Sequence, residues 1–374
     1  MRNFRSKIFV LMLVVMIVST AFFGCRRAPR AGDESSLDLT FATVSGALYY
    51  YIVYVAKEKG WFADAGVNMR DINFTNGPVM VEALASDGWD FGISGIGGQL
   101  PAVITYDAVL ITPINSDDGA QRLFVRNNSP ILAAGTGHNI LDSRIYGTAA
   151  TWRGQRVICN PGAVLHYFLI RVLEGFDLST DDIHFLSMDV ATAGSAFRAG
   201  EGDVVAMTGS GGTMAMLADP NFTSVAEGPW LDTGLMGAAY ANRNIMSNPD
   251  KIEAITRFMV VYYKTLDWVY NPANYREVID MMMDFTDEMG IAMDRPSAEF
   301  YLNIDRFYGH REALEMMTTT AAGKNYSVME DKIIGVLNFF IDSGSRQRGE
   351  AERFPGNVNT SVMQEVVRRL EARS

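Results

Sequence analysis

The chain has few cysteines, few histidines and a shortage of basic residues. Its 374 residues include 2 cysteines, Cys25 and Cys159, and 4 histidines. Two cysteines so far apart provide neither a disulfide scaffold nor a cysteine-based zinc site. Lys and Arg number 32 against 43 Asp and Glu, which gives a net charge of -11. Because phosphate contacts need a concentrated basic face, we expect no nucleic-acid partner.

Sequence motifs for catalysis and for cofactor binding are also missing. The histidines are scattered and none has an HExxH partner: His138, His166, His184 and His310. The Gly-rich stretches at 95–98 and 209–212 match neither the dinucleotide-binding pattern nor the P-loop. Ser94 and Ser210 lack the GxSxG frame of a nucleophile elbow. The sequence therefore predicts a binding protein rather than an enzyme, with no cofactor, no metal site and no catalytic residue.

The N-terminal segment is typical of an export signal. Arg2, Arg5 and Lys7 precede an uncharged apolar run at 8–18, and small residues lead to Cys25. The run is too short and wrongly flanked for a stable transmembrane helix. We expect residues 1–24 to be a signal peptide. Its loss would remove three basic groups and leave 29 against 43, or -14.

The Gly24-Cys25 junction resembles a bacterial lipobox, in which the cysteine is lipidated and becomes the first residue of the mature chain. Residues 25–36 then read as a polar tether that holds the protein at the membrane face. An ordinary signal peptide with an incidental cysteine remains the alternative.

The hydrophobic pattern after residue 36 predicts alternating strands and helices. Apolar residues recur with period 2 at 37–41 and with helical spacing at 48–56, followed by strands at 67–74 and 89–94. This alternation favours a parallel sheet covered by helices on both faces. Ligands of such sheets bind beyond the carboxyl ends of the strands.

The same pattern recurs in the middle of the chain. Strands are predicted at 157–159, 183–188 and 203–207, with helices between them. Residues 83–91 align without gaps with residues 196–204, and both segments place an aspartate, Asp90 or Asp203, just before a strand. The two segments lie 113 residues apart, and a weak repeat at this separation indicates two similar lobes rather than a solenoid, whose period is about 20 to 50 residues.

The C-terminal part is predicted to be mostly helical. A helix begins at Asn248-Pro249, and further helices are expected at 272–289, 297–317 and 327–340. A loose stretch at 343–359 precedes a last short amphipathic helix. The first of these helices has an apolar face: Ile255, Phe258, Met259, Tyr262 and Leu266.

The Gly-rich stretches are the strongest local indication of binding. Each follows a predicted strand and precedes a helix, so that backbone N–H groups and the helix N-terminus can face a polar or anionic ligand. The turn at 160–163 is the matching feature of the second lobe. For any single loop, a tight strand-to-helix turn without function is the alternative.

Four segments carry a family resemblance: 49–67, 82–92, 152–157 and 196–205. They are similar to the periplasmic-type solute-binding proteins of ABC importers, in the sulfonate/nitrate/taurine and thiamine-precursor family. The resemblance implies an α/β chain with the type II periplasmic binding protein fold, in which two α/β lobes are joined by two crossing strands.

The crossings would fall near 123–126 and 235–242, with the helical C-terminal region back on lobe one. Lobe one would then comprise 37–124 and 235–374, and lobe two 125–234.

Some features depart from the family pattern. Glycine pairs at 97–98 and 211–212 stand where the family often has proline, and the stretch 133–151 is longer than usual. Cys159 is alone, so the cysteine cluster of the pyrimidine-synthesising relatives is absent.

The resemblance and the loop positions together predict the ligand-binding residues. Lobe one would contribute Ser45, Gly46, Tyr49, Asn76, Ser94 and Gly95. Lobe two would contribute Asn160, Gly162, Ala163, Thr208 and Gly209. Asp117, with its neighbour Asp118, could select an amine or a heterocycle, or both could be exposed loop acids.

The expected function is the capture of a small polar organic solute for an ABC permease. The protein would be a monomer at the periplasmic or cell-surface side of the membrane, anchored through lipidated Cys25. By family analogy the solute is sulfonate, taurine or nitrate-like, although no Arg falls in the predicted loops. A pyrimidine, amino-acid or other nitrogenous solute and an enzyme on the same fold are the alternatives.

Overall fold

The computed structural model describes residues 36–208, 210–290 and 293–372. In this part of the chain strands and helices alternate, as predicted. The strands are β1 (Leu37–Val44), β2 (Val67–Phe74), β3 (Phe91–Ser94), β4 (Ala108–Ser116), β5 (Arg122–Arg126), β6 (Arg156–Cys159), β7 (His184–Ser187), β8 (Val204–Met207), β9 (Phe222–Glu227) and β10 (Met236–Asn242).

The α-helices cover both sheets and form most of the C-terminal part. They are α1 (Leu48–Glu58), α2 (Trp61–Asp64), α3 (Gly77–Glu82), α4 (Ile96–Tyr106), α5 (Pro130–Ala133), α6 (Ala149–Trp152), α7 (Val164–Glu174), α8 (Val190–Arg198), α9 (Ser210–Leu217), α10 (Pro249–Val269), α11 (Tyr275–Glu288), α12 (Arg295–Leu302), α13 (His310–Thr318), α14 (Val328–Asp342), α15 (Glu350–Arg353) and α16 (Ser361–Glu371). Among the described helices, none has the length and apolarity that a membrane span requires.

The two five-stranded sheets have the same plan. Sheet one has the order β2-β1-β3-β10-β4, and sheet two has the order β7-β6-β8-β5-β9. In each, the first three strands are parallel, and the fourth runs antiparallel to its neighbours. The strand added at the fourth position, β10 or β5, follows directly after the chain has crossed from the other sheet.

Two segments connect the sheets. The chain leaves sheet one after β4 through 117–121 and returns from sheet two through 228–235. The strands β5 and β10, which stand at the predicted crossings, belong to the sheets themselves. The predicted lobe limits at 124/125 and 234/235 fall inside β5 and just before β10, and they remain predictions.

The aligned segments 83–91 and 196–204 form the same pair of hydrogen bonds in the two sheets. The Asp90 carboxylate accepts a hydrogen bond from the backbone N–H of Thr40 on β1, at 2.8 Å. Asp203 does the same for Arg156 on β6, at 2.9 Å. The backbone N–H of each aspartate donates in return to the same strand residue, at 3.0 and 2.7 Å. Asp90 therefore ties the start of β3 to β1, and Asp203 ties the start of β8 to β6.

The core of lobe one is built around α10. The predicted apolar face of this helix is buried, and its Phe258 ring packs on Phe41 of β1 and Phe91 of β3, with centroid distances of 4.9 and 5.2 Å. Aromatic side chains dominate such cores because each buries a large apolar area. Helix α10 thereby closes one face of sheet one.

One helix predicted from the sequence is wrong. The stretch 297–317 is two helices, α12 and α13, separated by an irregular loop at 303–309. The loop lies along β4, where Ser116 N donates to Arg306 O at 2.8 Å and Tyr308 N donates to Ile114 O at 2.9 Å. These bonds satisfy backbone groups that a continuous helix would have paired internally. Because the helix is interrupted here, Asp305 lies beside the connection at 117–121 and accepts a hydrogen bond from Gly119 N.

Candidate functional site

Three of the predicted lobe-one residues, Gly46, Tyr49 and Gly95, lie near Asp117, the first residue of the connection at 117–121. Gly46 turns the chain between β1 and α1 with φ of +72°, and its carbonyl accepts a hydrogen bond from the Tyr301 hydroxyl. The buried phenol of Tyr49 lies close enough to Asp117 and to Tyr301 for both to raise its pKa, after the larger effect of burial. Gly95 follows β3 and lies directly against Asp117.

Two glycines provide the space for this cluster. Ser94 pairs with Ala238 in the antiparallel register of β3 and β10, so that Gly95 and Gly237 occupy the next facing positions on the same side. A Cβ on Gly95 would stand 2.2 Å from Asp117 Oδ2, and one on Gly237 would stand 2.2 Å from Asn115 Oδ1. Neither position accepts a side chain, because polar oxygens fill the place of the missing Cβ.

Asp118 and Asp305 complete what we call the acidic cluster, which consists of Asp117, Asp118 and Asp305. Asp118 accepts a hydrogen bond from the Thr233 hydroxyl of the returning connection, at 3.0 Å. Asp305 accepts from Asn115 Nδ2 at 3.1 Å and from Gly119 N at 3.2 Å. The three carboxyl groups thus join both connections to the loop between α12 and α13.

Burial changes the acidity of all three carboxyl groups. It raises the pKa of Asp117 from 3.8 to about 7, with Asp118 as the second cause, and it raises that of Asp118 to about 6. The pKa of Asp305 is also raised, first by burial and then by Asp117. Desolvation and neighbouring negative charges both disfavour the ionised form of a carboxyl group, whereas a nearby cation would favour it. The raised pKa values therefore indicate that positive charge does not compensate these three carboxyl groups. The alternative of exposed loop acids is wrong for Asp118, which is 6% exposed.

The other predicted lobe-one residues have different surroundings. Ser45 and Asn76 are exposed, and Asn76 caps α3 by accepting a hydrogen bond from Val79 N at 3.0 Å. Ser94 is fully buried and bonds to the Tyr240 hydroxyl at 2.8 Å. Gly98 is structural, because a Cβ there would stand 2.3 Å from Ser94 Oγ.

The predicted lobe-two residues lie mainly at the start of α7. Ala163 is the N-cap position of α7, and Asn160 and Gly162 form the turn before it. Gly162, with φ of +69°, donates its N–H to His166 Nδ1 at 3.2 Å.

This turn faces the C-terminal helical region. A Cβ on Gly162 would be 3.2 Å from Ser345 Oγ, and the Phe339 ring of α14 packs on His166 and Tyr167 at centroid distances of 5.7 and 4.9 Å. The described side-chain hydrogen bonds and ring contacts do not join this turn to the acidic cluster.

Thr208 has another position again. It lines a cavity of about 300 Å³ between α8 and α9, together with Arg198 and Met207. The Arg198 guanidinium donates to Ala215 O at 2.8 Å across this cavity. Gly209 and Cys25 lie outside the described residues.

The sequence prediction missed four residues of this site: Asn115, Gly237, Tyr301 and Asp305. Asn115 sits near the end of a strand, where a polar residue in an otherwise apolar run was a usable signal. Asp305 and Tyr301 were assigned to one long helix. Asn303 and Gly309, at the end of α12 and the start of α13, were the available signs of a break there.

No group of three or more His, Cys, Asp or Glu side chains in the described part of the chain could hold a metal ion. The arrangement can instead hold a small solute through hydrogen bonds and charge, because backbone glycines, a tyrosine and carboxyl groups meet where two lobes join.

Comparison with known proteins confirms the predicted fold. Over 87% of this chain and 94% of the other, the structure superposes on the periplasmic aliphatic sulphonate binding protein SsuA of Escherichia coli with a TM-score of 0.66 at 17% identity. The periplasmic nitrate-binding protein NrtA of Synechocystis matches with a TM-score of 0.56 at 13% identity, over 91% of this chain and 90% of the other. The chain therefore has the fold of periplasmic binding proteins.

Sequence similarity covers shorter regions. Residues 48–102 match the family described as NMT1/THI5 like. A protein of Brachyspira hyodysenteriae named as an ABC transporter periplasmic binding protein is 25% identical over 142 residues, 38% of this chain and 40% of that protein. A protein of Bacillus subtilis named as an aliphatic sulfonates-binding protein is 31% identical over 130 residues, which cover 32% of this chain and 37% of the relative. The chain matches less than half the length of these two relatives, and both are named as binding proteins rather than enzymes.

Proposed function

We propose that this protein is the extracytoplasmic solute-binding component of an ABC importer. It captures one small polar organic solute where its two lobes join and delivers it to a membrane permease. The observation that carries the proposal is the meeting of Gly46, Tyr49, Gly95 and Asp117 beside a segment that connects two sheets of identical plan. Binding between lobes converts capture into hinge closure, which a permease can recognise.

The membrane attachment and location follow from the leader. A lipidated Cys25 followed by the tether at 25–36 would keep a monomeric receptor at the periplasmic or cell-surface side of the membrane. Globomycin treatment of expressing cells tests this: accumulation of the unprocessed precursor is expected, and Cys25→Ser should accumulate the same precursor without the drug, because serine cannot accept the lipid that cleavage requires. Processing of the wild type that globomycin does not affect would contradict lipidation.

The binding function is tested on the full-length chain purified in detergent. Native mass spectrometry should detect one small molecule per chain, and thermal-shift measurements with small polar solutes should find a compound that raises the melting temperature. The bound compound should be recovered chemically unchanged after incubation, because a receptor does not transform its ligand. Conversion to a product would instead favour an enzyme on the same fold, and the absence of any bound or stabilising solute would contradict the proposal.

A further inference from the structure

We propose that the captured solute carries a protonated nitrogen, an ammonium or guanidinium group, which binds at the acidic cluster between the lobes. This inference rests on the proposed function and names the chemistry of the solute. A simple sulfonate or nitrate does not fit this position, whereas an amino-sulfonate could place its ammonium group here.

The first argument is that buried acceptors at this position lack donors. Asn115 is 0% exposed, and its amide nitrogen donates to Ser116 O at 2.9 Å and to Asp305 Oδ2 at 3.1 Å. Its Oδ1 has no hydrogen-bond partner. The opposite orientation of the amide would set its oxygen against a carboxylate, so the nitrogen must face Asp305.

Two further buried acceptor atoms also lack a hydrogen-bond donor. Gln121 is 1% exposed, and its Nε2 donates to Asp117 O at 3.3 Å while its Oε1 has no partner. Asp118 Oδ1 is also unpaired, although Oδ2 accepts from Thr233. A buried acceptor without a donor destabilises the structure, because it has lost its hydrogen bonds to water. All three unpaired atoms are acceptors, so a ligand rich in N–H donors would satisfy them.

The second argument is charge. Positively charged side chains on the neighbouring elements are engaged elsewhere: Arg122 with Glu227 at 3.1 Å, Arg306 with Glu312 at 2.6 Å and Lys332 with Asp232 at 2.5 Å. None of the salt bridges in the described residues includes a member of the acidic cluster. A cation would provide the missing charge, whereas a sulfonate would add a negative charge to three carboxyl groups.

The third argument is access and shape. Asp117 Oδ2 and Asn115 Oδ1 occupy the places that a Cβ on Gly95 and a Cβ on Gly237 would take, so both oxygens lie at the same side of the sheet, and the Tyr49 ring borders Gly237, 3.5 Å from the position of a Cβ there. Asp117 keeps part of its surface accessible. Aromatic rings also favour cations at short range. A bare metal ion is disfavoured, because its ligands must converge within about 2.3–2.6 Å of one point, and the described residues offer no such group.

The competing anchor for an anion is Arg122. Its Nε has no partner and the residue is 8% exposed, although its other nitrogens bond to Gly119 O and to Glu227. A sulfonate bound at Arg122 would leave the acidic cluster unused. The experiment therefore compares variants of both positions.

The probes are propylamine, putrescine, agmatine and taurine, against propanesulfonate, isethionate, nitrate and calcium. Calorimetric titrations use the full-length chain in detergent, unfolded and refolded to remove bound solute, at pH 7.5. Taurine and isethionate form a matched pair, because an ammonium in one replaces a hydroxyl in the other. Binding is expected only for compounds with a protonated nitrogen, with one molecule per chain.

Variants locate the binding. Asp117→Asn and Gly95→Ala should each weaken binding of the amine at least tenfold, the second because its Cβ displaces Asp117. Gly97→Ala is the matched control, since a Cβ there meets only Pro78 Cδ at 3.9 Å, and Asp64→Asn is the control for charge. Arg122→Gln should leave amine affinity within about threefold. Melting temperatures separate loss of binding from loss of folding.

The outcomes distinguish the two proposals. If sulfonates or nitrate bind and the amines do not, or if Asp117→Asn leaves the affinity unchanged in a folded protein, the inference is overturned and the receptor function stands. Calcium binding without amine binding overturns it as well. If no probe of either class binds, the inference and the support for the proposed function fail together.

Discussion

Replacing Asp117 by asparagine should stabilise the solute-free protein at neutral and alkaline pH. Burial raises the pKa of this carboxyl from 3.8 to about 7. The folded state therefore holds a proton that the unfolded state releases between these values, and stability falls as pH rises through that window. Asparagine has the same shape and no charge to desolvate. Its amide can also donate hydrogen bonds to the acceptors of the site.

The magnitude follows from the change in pKa. At 1.36 kcal/mol per pKa unit the full effect would be about 4 kcal/mol. Asp117 keeps some solvent contact and shares its proton with Asp118 and Asp305, so we expect about half of this, roughly 2 kcal/mol at pH 8. With about 2.1 cal/mol/K of unfolding entropy per residue, that corresponds to a rise of about 3 °C in melting temperature. Below pH 4 the difference should disappear.

The assay is differential scanning calorimetry of the refolded full-length chain between pH 4 and 8, with Asp64→Asn as the control. Asp64 is exposed, and its replacement should change the melting temperature little at any pH. The ionisable groups that face Asp117 are Asp118, Asp305 and Tyr49. A variant that is less stable than the wild type at pH 8, or equally more stable at pH 4 and 8, would refute the reasoning.

Three further predictions concern other parts of the molecule. Phe339→Ala should favour an open arrangement of the lobes, because it removes ring contacts to His166 and Tyr167. Small-angle scattering should show a larger radius of gyration for this variant than for the control Phe340→Ala, and an unchanged radius would contradict the prediction. Trp152→Ala should lower the free energy of unfolding by about 3–5 kcal/mol in urea denaturation, since Trp152 is fully buried and donates to Tyr146 O at 3.0 Å; a loss below about 1 kcal/mol would show that its cavity collapses. Asp90→Ala and Asp203→Ala should each lower the free energy of unfolding by about 1–3 kcal/mol. Hydrogen exchange should accelerate similarly at the Thr40 amide in the first variant and at the Arg156 amide in the second, and a large difference between them would contradict equivalent roles.

The sequence was sufficient for the architecture because the architecture depends on local patterns. Period-2 and helical spacing located β1, α1 and β2 within a few residues, and the aligned segments around Asp90 and Asp203 indicated two similar lobes. The strand order was not accessible in this way, since β10 joins sheet one from more than a hundred residues away. Such pairings depend on long-range contacts that no local pattern records.

The candidate site was only partly predictable for a related reason. Gly46, Tyr49 and Gly95 follow strands, and the rule for parallel sheets locates such residues. Asp305 lies in the loop 303–309, whose backbone groups form hydrogen bonds with β4. The sequence predicted a single helix across 297–317, because these long-range hydrogen bonds leave no local pattern. Asn76 and Ser94 looked equally suitable in sequence, but one is used as a helix cap and the other is buried against Tyr240.

The location of the acidic cluster has a mechanical consequence. Asp117 and Asp118 belong to one connection between the sheets, and Thr233, which bonds to Asp118, belongs to the other. Bending one connection against the other must change the distance between these groups. If the solute binds at the acidic cluster as proposed, opening of the lobes by a permease would weaken its binding directly, and release would need no separate signal.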